Sequence, residues 1–355
     1  MNSPVAASTI ETIVTLVSRH VSVDGYYSRG QEVNLRGTIV ESTDGWRSVL
    51  AVELKALGYA LKVSQNGAVV NVSIFPAQRR IPWLNIVLFV ATAISVSIVP
   101  AWIIEGSKVF RDFSIILRWQ KFATPLLLIL LFHEFGHYLA ARRRGIRVSL
   151  PYFLPAPSAI GTFGAFIKSN SPFPSRRDLL EVGAYGPIAG FVVALVFLFF
   201  GLANVVIHPM PTGLDVPKLV EPLIMRLAQA IVIPASIPDG YNIFLQDNPM
   251  LFAAWVGLVI TMLNLLPVGQ LDGGHIIYAL SPRWHRLVSR GVFVVLIGLG
   301  FVWQGWWIWA IMIFFVIRFG HPPTLNDYQP LEQRCRWTGW VAMAIFLLTF
   351  SPVPF

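Results

Sequence analysis

The chain has 355 residues, of which 55% are hydrophobic and 13% charged, and it carries a net charge of +9. Soluble domains carry about 25% charged residues, so this deficit excludes disorder and a charge-coated soluble globule. The single cysteine, Cys335, excludes an internal disulfide framework and a metal site built from several cysteines. A nucleic-acid binder gathers its basic residues on a polar patch. Here they punctuate apolar runs, the pattern of a polytopic membrane protein. The expected partner is the lipid bilayer, and no nucleic acid.

The first 80 residues differ from the rest. Ser8 and Glu11 have the spacing of a capping box, which predicts a helix over 8–19. Arg47 to Leu57 predicts a second helix, stopped by Gly58. Tyr59–Ser64 and Ala68–Phe75 alternate and are rich in β-branched residues, and Asn66-Gly67 between them favours a hairpin turn. These elements predict a small soluble α+β domain over 1–80. No basic start followed by a short apolar run and a small-residue cleavage site is present, so no signal peptide is expected.

Arg79-Arg80 closes that domain. Apolar runs then predict spans at 82–103, 122–141, 180–206, 250–267, 287–303, 304–318 and 338–353. The break at Gln304-Gly305 is weak, so a single helix over 291–317 stays open. The fold class is a polytopic α-helical membrane protein with about six to seven transmembrane helices. Basic residues concentrate in 142–179 (Arg142, Arg143, Arg144, Arg147, Lys168, Arg176, Arg177), which places that loop in the cytoplasm. The segment 207–247 holds Lys218 and Arg226 against Asp215, Glu221, Asp239 and Asp247, and should be external. The N-terminal domain is then cytoplasmic too. The loop 104–121 fits worst, since its Lys108, Arg111, Arg118 and Lys121 should lie outside.

Ser149 to Ser175 is apolar yet broken by Pro151, Pro155, Pro157, Pro172 and Pro174, with Gly161 and Gly164. Non-helical backbone at membrane depth needs cover from protein or a wet cavity. The segment reads as a re-entrant β-hairpin beside a site.

The second span contains His133-Glu134-Phe135-Gly136-His137. Residues four apart stack on one helical face, so the two imidazoles can hold one Zn²⁺, with Glu134 beside them to take a proton. Three ionisable groups inside one apolar run need partners or a function. Zinc requires a third protein ligand. The metzincin extension fails, because Ala140 and Arg143 stand where a glycine and a histidine should be. Glu181, Asp272 and His275 remain. Asp272 is preferred: it follows Asn264, Pro267 and Leu271 on the fourth apolar segment, at the same membrane face as His137. Glu181 starts the third span from that face and stays open. His20, His208, His285 and His321 have no partner spacing and read as structural or exposed. Gly183, Gly186, Pro187, Ala189 and Gly190 read as a surface for close helix packing, and Trp303 to Trp309 as an interfacial belt.

The HEFGH helix followed by N-x-x-P-x-x-x-L-D-G resembles the site-2 protease family of intramembrane zinc metalloproteases. Gly161-Thr162-Phe163-Gly164-Ala165-Phe166 matches that family's Gly-x-x-Gly segment. The resemblance covers 82–275 and implies a catalytic membrane core over 81–275, followed by C-terminal helices over 276–355. It implies that His133, His137 and Asp272 bind Zn²⁺ and that Glu134 is the general base and then the proton donor. Asn264 would stabilise the oxyanion, although an interhelical hydrogen bond serves equally well on physical grounds. The stretch Gly161–Phe166 would bind an unwound substrate by strand addition. The implied protein is a cell-membrane endopeptidase. Its substrate would be a single-span transmembrane protein, such as an anti-sigma factor or a membrane-bound regulator. The alternative is a membrane scaffold with a structural metal and no activity.

Overall fold

The computed structural model describes residues 7–29, 32–40, 45–66, 69–76, 82–146, 148–169, 172–209, 221–233, 241–243 and 248–354. Several residues used above lie outside these: Gly67, Ala68, Arg79, Arg80, Arg147, Asp215, Lys218, Asp239 and Asp247. The chain divides into two compact units, 1–81 and 82–355.

In the first unit the order is α1 (Ala7–Ser18), β1 (Val21–Arg29), β2 (Glu32–Ile39), α2 (Trp46–Ala56), β3 (Tyr59–Asn66) and β4 (Val69–Pro76). The strands form one antiparallel sheet in the order β1-β2-β4-β3. Alternation along β2 and β4 turns Val33, Leu35, Val70, Val72 and Ile74 to one face. There they pack with Ile13 and Val17 of α1 and Leu50 and Leu54 of α2. The predicted helices and the β3–β4 pair are present. The capping box is not, because α1 already includes Ala7 and Ser8 lies inside its first turn. β1 and β2 lack a clear strand pattern in the sequence. Gly25 sits at a register shift in β1 and Gly37 inside β2, and both interrupt the alternation that marks a strand.

The second unit runs α3 (Trp83–Glu105), a 3₁₀ turn (Gly106–Phe110), α4 (Phe113–Arg143), β5 (Tyr152–Pro155), β6 (Thr162–Phe166) and α5 (Arg176–Ala203). After these come β7 (Ile207–Pro209), α6 (Leu223–Val232), β8 (Tyr241–Ile243), α7 (Pro249–Asn264), α8 (Asp272–Leu280), α9 (Pro282–Leu299), α10 (Gly305–Met312) and α11 (Gln333–Thr349). Among the described residues, three helices are long and apolar enough to cross a membrane: α3 with its 3₁₀ turn, α4 and α5. The helices that contain the later predicted spans are shorter or carry charge near their starts. α7 has 16 residues. α9 contains Arg283, Arg286 and Arg290, and α11 contains Arg334 and Arg336. The region 291–317 is two helices, since α9 ends at Leu299 and α10 starts at Gly305. The segment 207–247 is more than a loop: it holds α6 and the β7–β8 ladder.

α4 starts at Phe113, nine residues before the apolar run suggested, and is capped by Asp112, whose side chain accepts the Ser114 N–H. Phe122, Leu126 and Ile129 of α4, Ala194 and Leu198 of α5, and Leu251, Trp255 and Leu258 of α7 share one core. Small residues set the spacing. A Cβ on Gly257 would lie 2.6 Å from the Ile129 Cδ1, and one on Gly201 would lie 2.9 Å from the Leu251 Cα.

Replacing the fully buried Leu50 by Ala should cost about 2–5 kcal/mol of stability in the first unit. Hydrogen exchange should quicken across residues 7–76, while exchange in α4 and α5 stays unchanged.

Candidate metal centre

α4 places His133, Glu134 and His137 on its buried side. The Asp272 carboxylate reaches them from the first residue of α8. Its Oδ2 lies 3.2 Å from the Nε2 of His133 and 3.3 Å from that of His137. One donor atom from each of the three residues falls within 4.8 Å of the others. The chain reaches Asp272 through a tight loop after α7. Gly273 and Gly274 pack against the main chain of residues 265–269 so closely that any Cβ would collide. Asp-Gly-Gly is therefore a packing requirement of this corner.

The ring of His137 is oriented by α5. Its Nδ1 lies 2.6 Å from the Val182 carbonyl oxygen, which only accepts, so the ring proton sits on Nδ1. In the neutral ring Nε2 then carries a lone pair that faces the Asp272 carboxylate. Two acceptors meeting in a buried site repel unless a proton or a metal cation lies between them. The chemistry of this donor set therefore fits a divalent metal ion, held by His133, His137 and Asp272 with a position left for water. Glu134 supports the same reading. It is 4% exposed, and its Oε2 is buried with no hydrogen-bond partner among the described residues.

The glycines of α5 make room for these rings. A Cβ on Gly186 would overlap the His137 imidazole, and one on Gly190 would lie 3.1 Å from the His133 ring. The close packing expected of this stretch is thus packing against the metal-binding side chains. Gly183 does the same for His275 at 2.9 Å.

Glu181 does not join the centre. It pairs with Arg144 and Arg177, and Asp178 lies 3.5 Å from Arg144. His275 lies one turn beyond Asp272, but its Nδ1 bonds His321 at 2.7 Å. His285 and His321 are more engaged than the sequence suggested. His285 is buried and donates to the Gly269 carbonyl at 3.0 Å. Asn264 ends α7 with its Nδ2 3.3 Å from His133 Nε2.

The β5–β6 pair is antiparallel and packs on α3. A Cβ on Gly161 would lie 2.6 Å from Val96 Cα. Asn85 donates to the carbonyls of Leu150 and Pro151, and Ser95 to that of Ala156. No sequence motif marked these two α3 side chains. Gly161, Thr162 and Gly164 are buried, Ala165 is half-buried, and Phe163 and Phe166 are exposed. The Ile167 backbone, just past β6, approaches the Glu134 carboxylate.

Residues 121–303, just over half of the chain, match the model of peptidase family M50, and they contain all four residues of the centre. The chain belongs to peptidase family M50, the site-2 protease family. This M50 chain is 30% identical over 258 residues to the probable zinc metalloprotease EGY2, chloroplastic, of Arabidopsis thaliana, covering 72% of this chain and 46% of the relative. It is 32% identical over 231 residues to the EGY2 protein of Oryza sativa subsp. indica, covering 63% and 41%. The probable zinc metalloprotease EGY1, chloroplastic, of Arabidopsis thaliana is 30% identical over 258 residues, at 68% and 45%. The chain thus spans less than half the length of these relatives. No solved structure matches it significantly.

Gly186→Ala should displace the His137 ring and lower metal affinity at least about tenfold, the scale for a disturbed ligand shell. Gly291→Ala, where a Cβ meets nothing within 4 Å, should leave it unchanged. Metal content of the purified proteins by atomic emission checks both.

Proposed function

We propose that this M50 chain is a zinc endopeptidase that cuts the membrane-spanning segment of its substrate. The observation that carries the reading is the convergence of His133, His137 and Asp272 beside Glu134, whose buried Oε2 has no hydrogen-bond partner among the described residues. Bound there, Zn²⁺ would supply Lewis-acid activation of water and of the substrate carbonyl. Glu134 takes the proton from the attacking water and returns it to the departing amine. A Glu134 Oε2 without a partner is free for that exchange. Asn264 contributes a donor. With His133 Nε2 given to a metal ion, the Asn264 N–H would be available to a developing oxyanion.

A helical substrate hides its peptide bonds in hydrogen bonds and must unwind to be cut. The hairpin supports that step. β6, with Gly161 just before it, leads into the backbone that approaches Glu134, so an extended substrate added along Gly161 to Phe166 would run past the base. Phe163 and Phe166 would meet its side chains. The substrate class is a single-span protein, such as an anti-sigma factor or a membrane-bound regulator.

We place the chain across a membrane as a multi-pass protein of six to seven spans, with α7 and the helices after α8 completing the bundle and β5–β6 as a re-entrant hairpin. The pairing of Arg144 with Glu181 and Asp178 supports a shared face for the end of α4 and the start of α5. That face, with Arg142, Arg143, Arg176 and Arg177, is cytoplasmic by the positive-inside rule, and so is the N-terminal unit.

Glu134→Gln should retain zinc and lose cleavage of a transmembrane substrate by about 10²–10⁴-fold. Asp272→Ala should lose the zinc itself. Normal cleavage by Glu134→Gln in proteoliposomes would overturn the assigned base. Retained zinc with no cleavage of any membrane substrate by the wild type would favour the scaffold reading. Chelation should abolish cleavage, and added Zn²⁺ should restore it.

A further inference from the structure

Of the three donors, Asp272 alone lies outside α4. It opens α8, a helix of nine residues. A helix this short gains little from its own hydrogen bonds and takes its orientation from what it packs against. It packs against α5, α9 and α11, and its polar side chains also meet 318–328, a stretch with neither helix nor strand.

This stretch begins at Arg318, whose φ of 61° is a conformation that side-chain-bearing residues seldom adopt. The Arg318 carbonyl closes on Gly269, where a Cβ would collide, in the loop that leads into Asp272. His321 comes next. Its Nδ1 lies 2.6 Å from the Pro322 carbonyl, so the proton is on Nδ1 and Nε2 is an acceptor. His275 Nδ1, 2.7 Å away, must therefore donate to it. The His321 ring also stacks on Tyr278, with centroids 4.3 Å apart and planes 23° from parallel. Tyr278 in turn donates its hydroxyl to Asp327 at 2.7 Å. Thr324 donates to the other oxygen of Asp327 through its hydroxyl at 2.7 Å and its N–H at 3.3 Å. Burial opposes the charge on Asp327, yet these bonds hold its carboxyl below the usual range. The Tyr278 phenol is pushed up to about 12 by burial and by its bond to Asp327. The far end of the stretch is anchored on the entry to α5: the Leu325 N–H donates to the Phe173 carbonyl at 3.0 Å, and Asn326 forms a bridge with Ser175.

We propose that residues 318–328 form a strap that positions α8, and through it the Asp272 carboxylate, with His321 and Asp327 as positioning residues. The proposal rests on the reading of His133, His137 and Asp272 as metal ligands. The strap grips α8 at two consecutive turns, through His275 and Tyr278, and grips the preceding loop at Gly269. Asp272 lies one turn before His275, so loss of either grip lets the carboxylate swing relative to the α4 histidines.

The test is titration of the metal-free full-length protein in detergent with Co²⁺ and Zn²⁺, following the Co²⁺ visible spectrum and the melting temperature. His321→Ala should weaken binding about tenfold and change the Co²⁺ spectrum. His321→Gln, which returns an acceptor near the Nε2 position, should bind within about threefold of wild type. Tyr278→Phe keeps the ring stack and removes only the hydroxyl, so it carries the test if His321→Ala does not fold. It should also weaken binding. Wild-type affinity and spectrum in both His321→Ala and Tyr278→Phe would overturn the strap while leaving the metal centre standing. Equal weakening in His321→Gln and His321→Ala would also overturn it. A wild type that takes up neither metal would overturn the metal centre beneath it.

Discussion

A carboxylate and two imidazoles must meet at one point inside a unit made almost wholly of apolar helices. Burying an ionised carboxylate without a partner costs several kcal/mol, and here that group must be carried in on a different helix from the one holding the histidines. Much of the surrounding architecture answers this requirement. α5 lies against α4 with glycine wherever an imidazole needs room, at Gly186 for His137 and Gly190 for His133. The Val182 carbonyl fixes the tautomer of His137 and so the direction of its lone pair. Gly273 and Gly274 let the chain turn back on the end of α7 tightly enough for Asp272 to arrive.

The charges divide into two populations with different roles. Arg144, Arg177, Asp178, Glu181 and Glu332 link the end of α4, the start of α5 and the approach to α11. Every member of that group has an oppositely charged neighbour, so it acts as a frame. At the metal centre the Asp272 carboxylate faces two imidazole nitrogens, and Glu134 keeps an oxygen unpartnered among the described residues. A frame satisfies its charges internally, whereas a reactive site leaves some for a metal, a water or a substrate. This distinction removes Glu181 from the ligand set.

The hairpin shows a similar division. Its inner residues are held by α3: Gly161 touches the backbone of Ser95 and Val96, and the side chains of Asn85 and Ser95 bind its carbonyls. Its outer residues, Phe163 and Phe166, stay exposed. Backbone carbonyls flanking the hairpin strands are thus satisfied by side chains of α3.

Much of this was legible from local sequence rules. The i, i+4 spacing of His133 and His137 fixes their shared face whatever surrounds them, because helix geometry alone decides it. The β3–β4 pair followed from alternation. The prolines and glycines of 149–175 marked a break from helix. β1 escaped because Gly25 interrupts its alternation at a register shift, and α6 because it lies in a segment read only for charge. The remaining features depended on contacts between distant parts of the chain. The motif around Asp272 favoured it locally but left Glu181 open as a ligand. The choice was made by which carboxylate found an arginine. Nothing near His321 announces its bond to His275, 46 residues earlier. The sequence by itself determined which side chains share a face, because that depends on backbone periodicity. Only the tertiary structure decided which charges are satisfied and which remain available, because that depends on what each one meets after the helices pack.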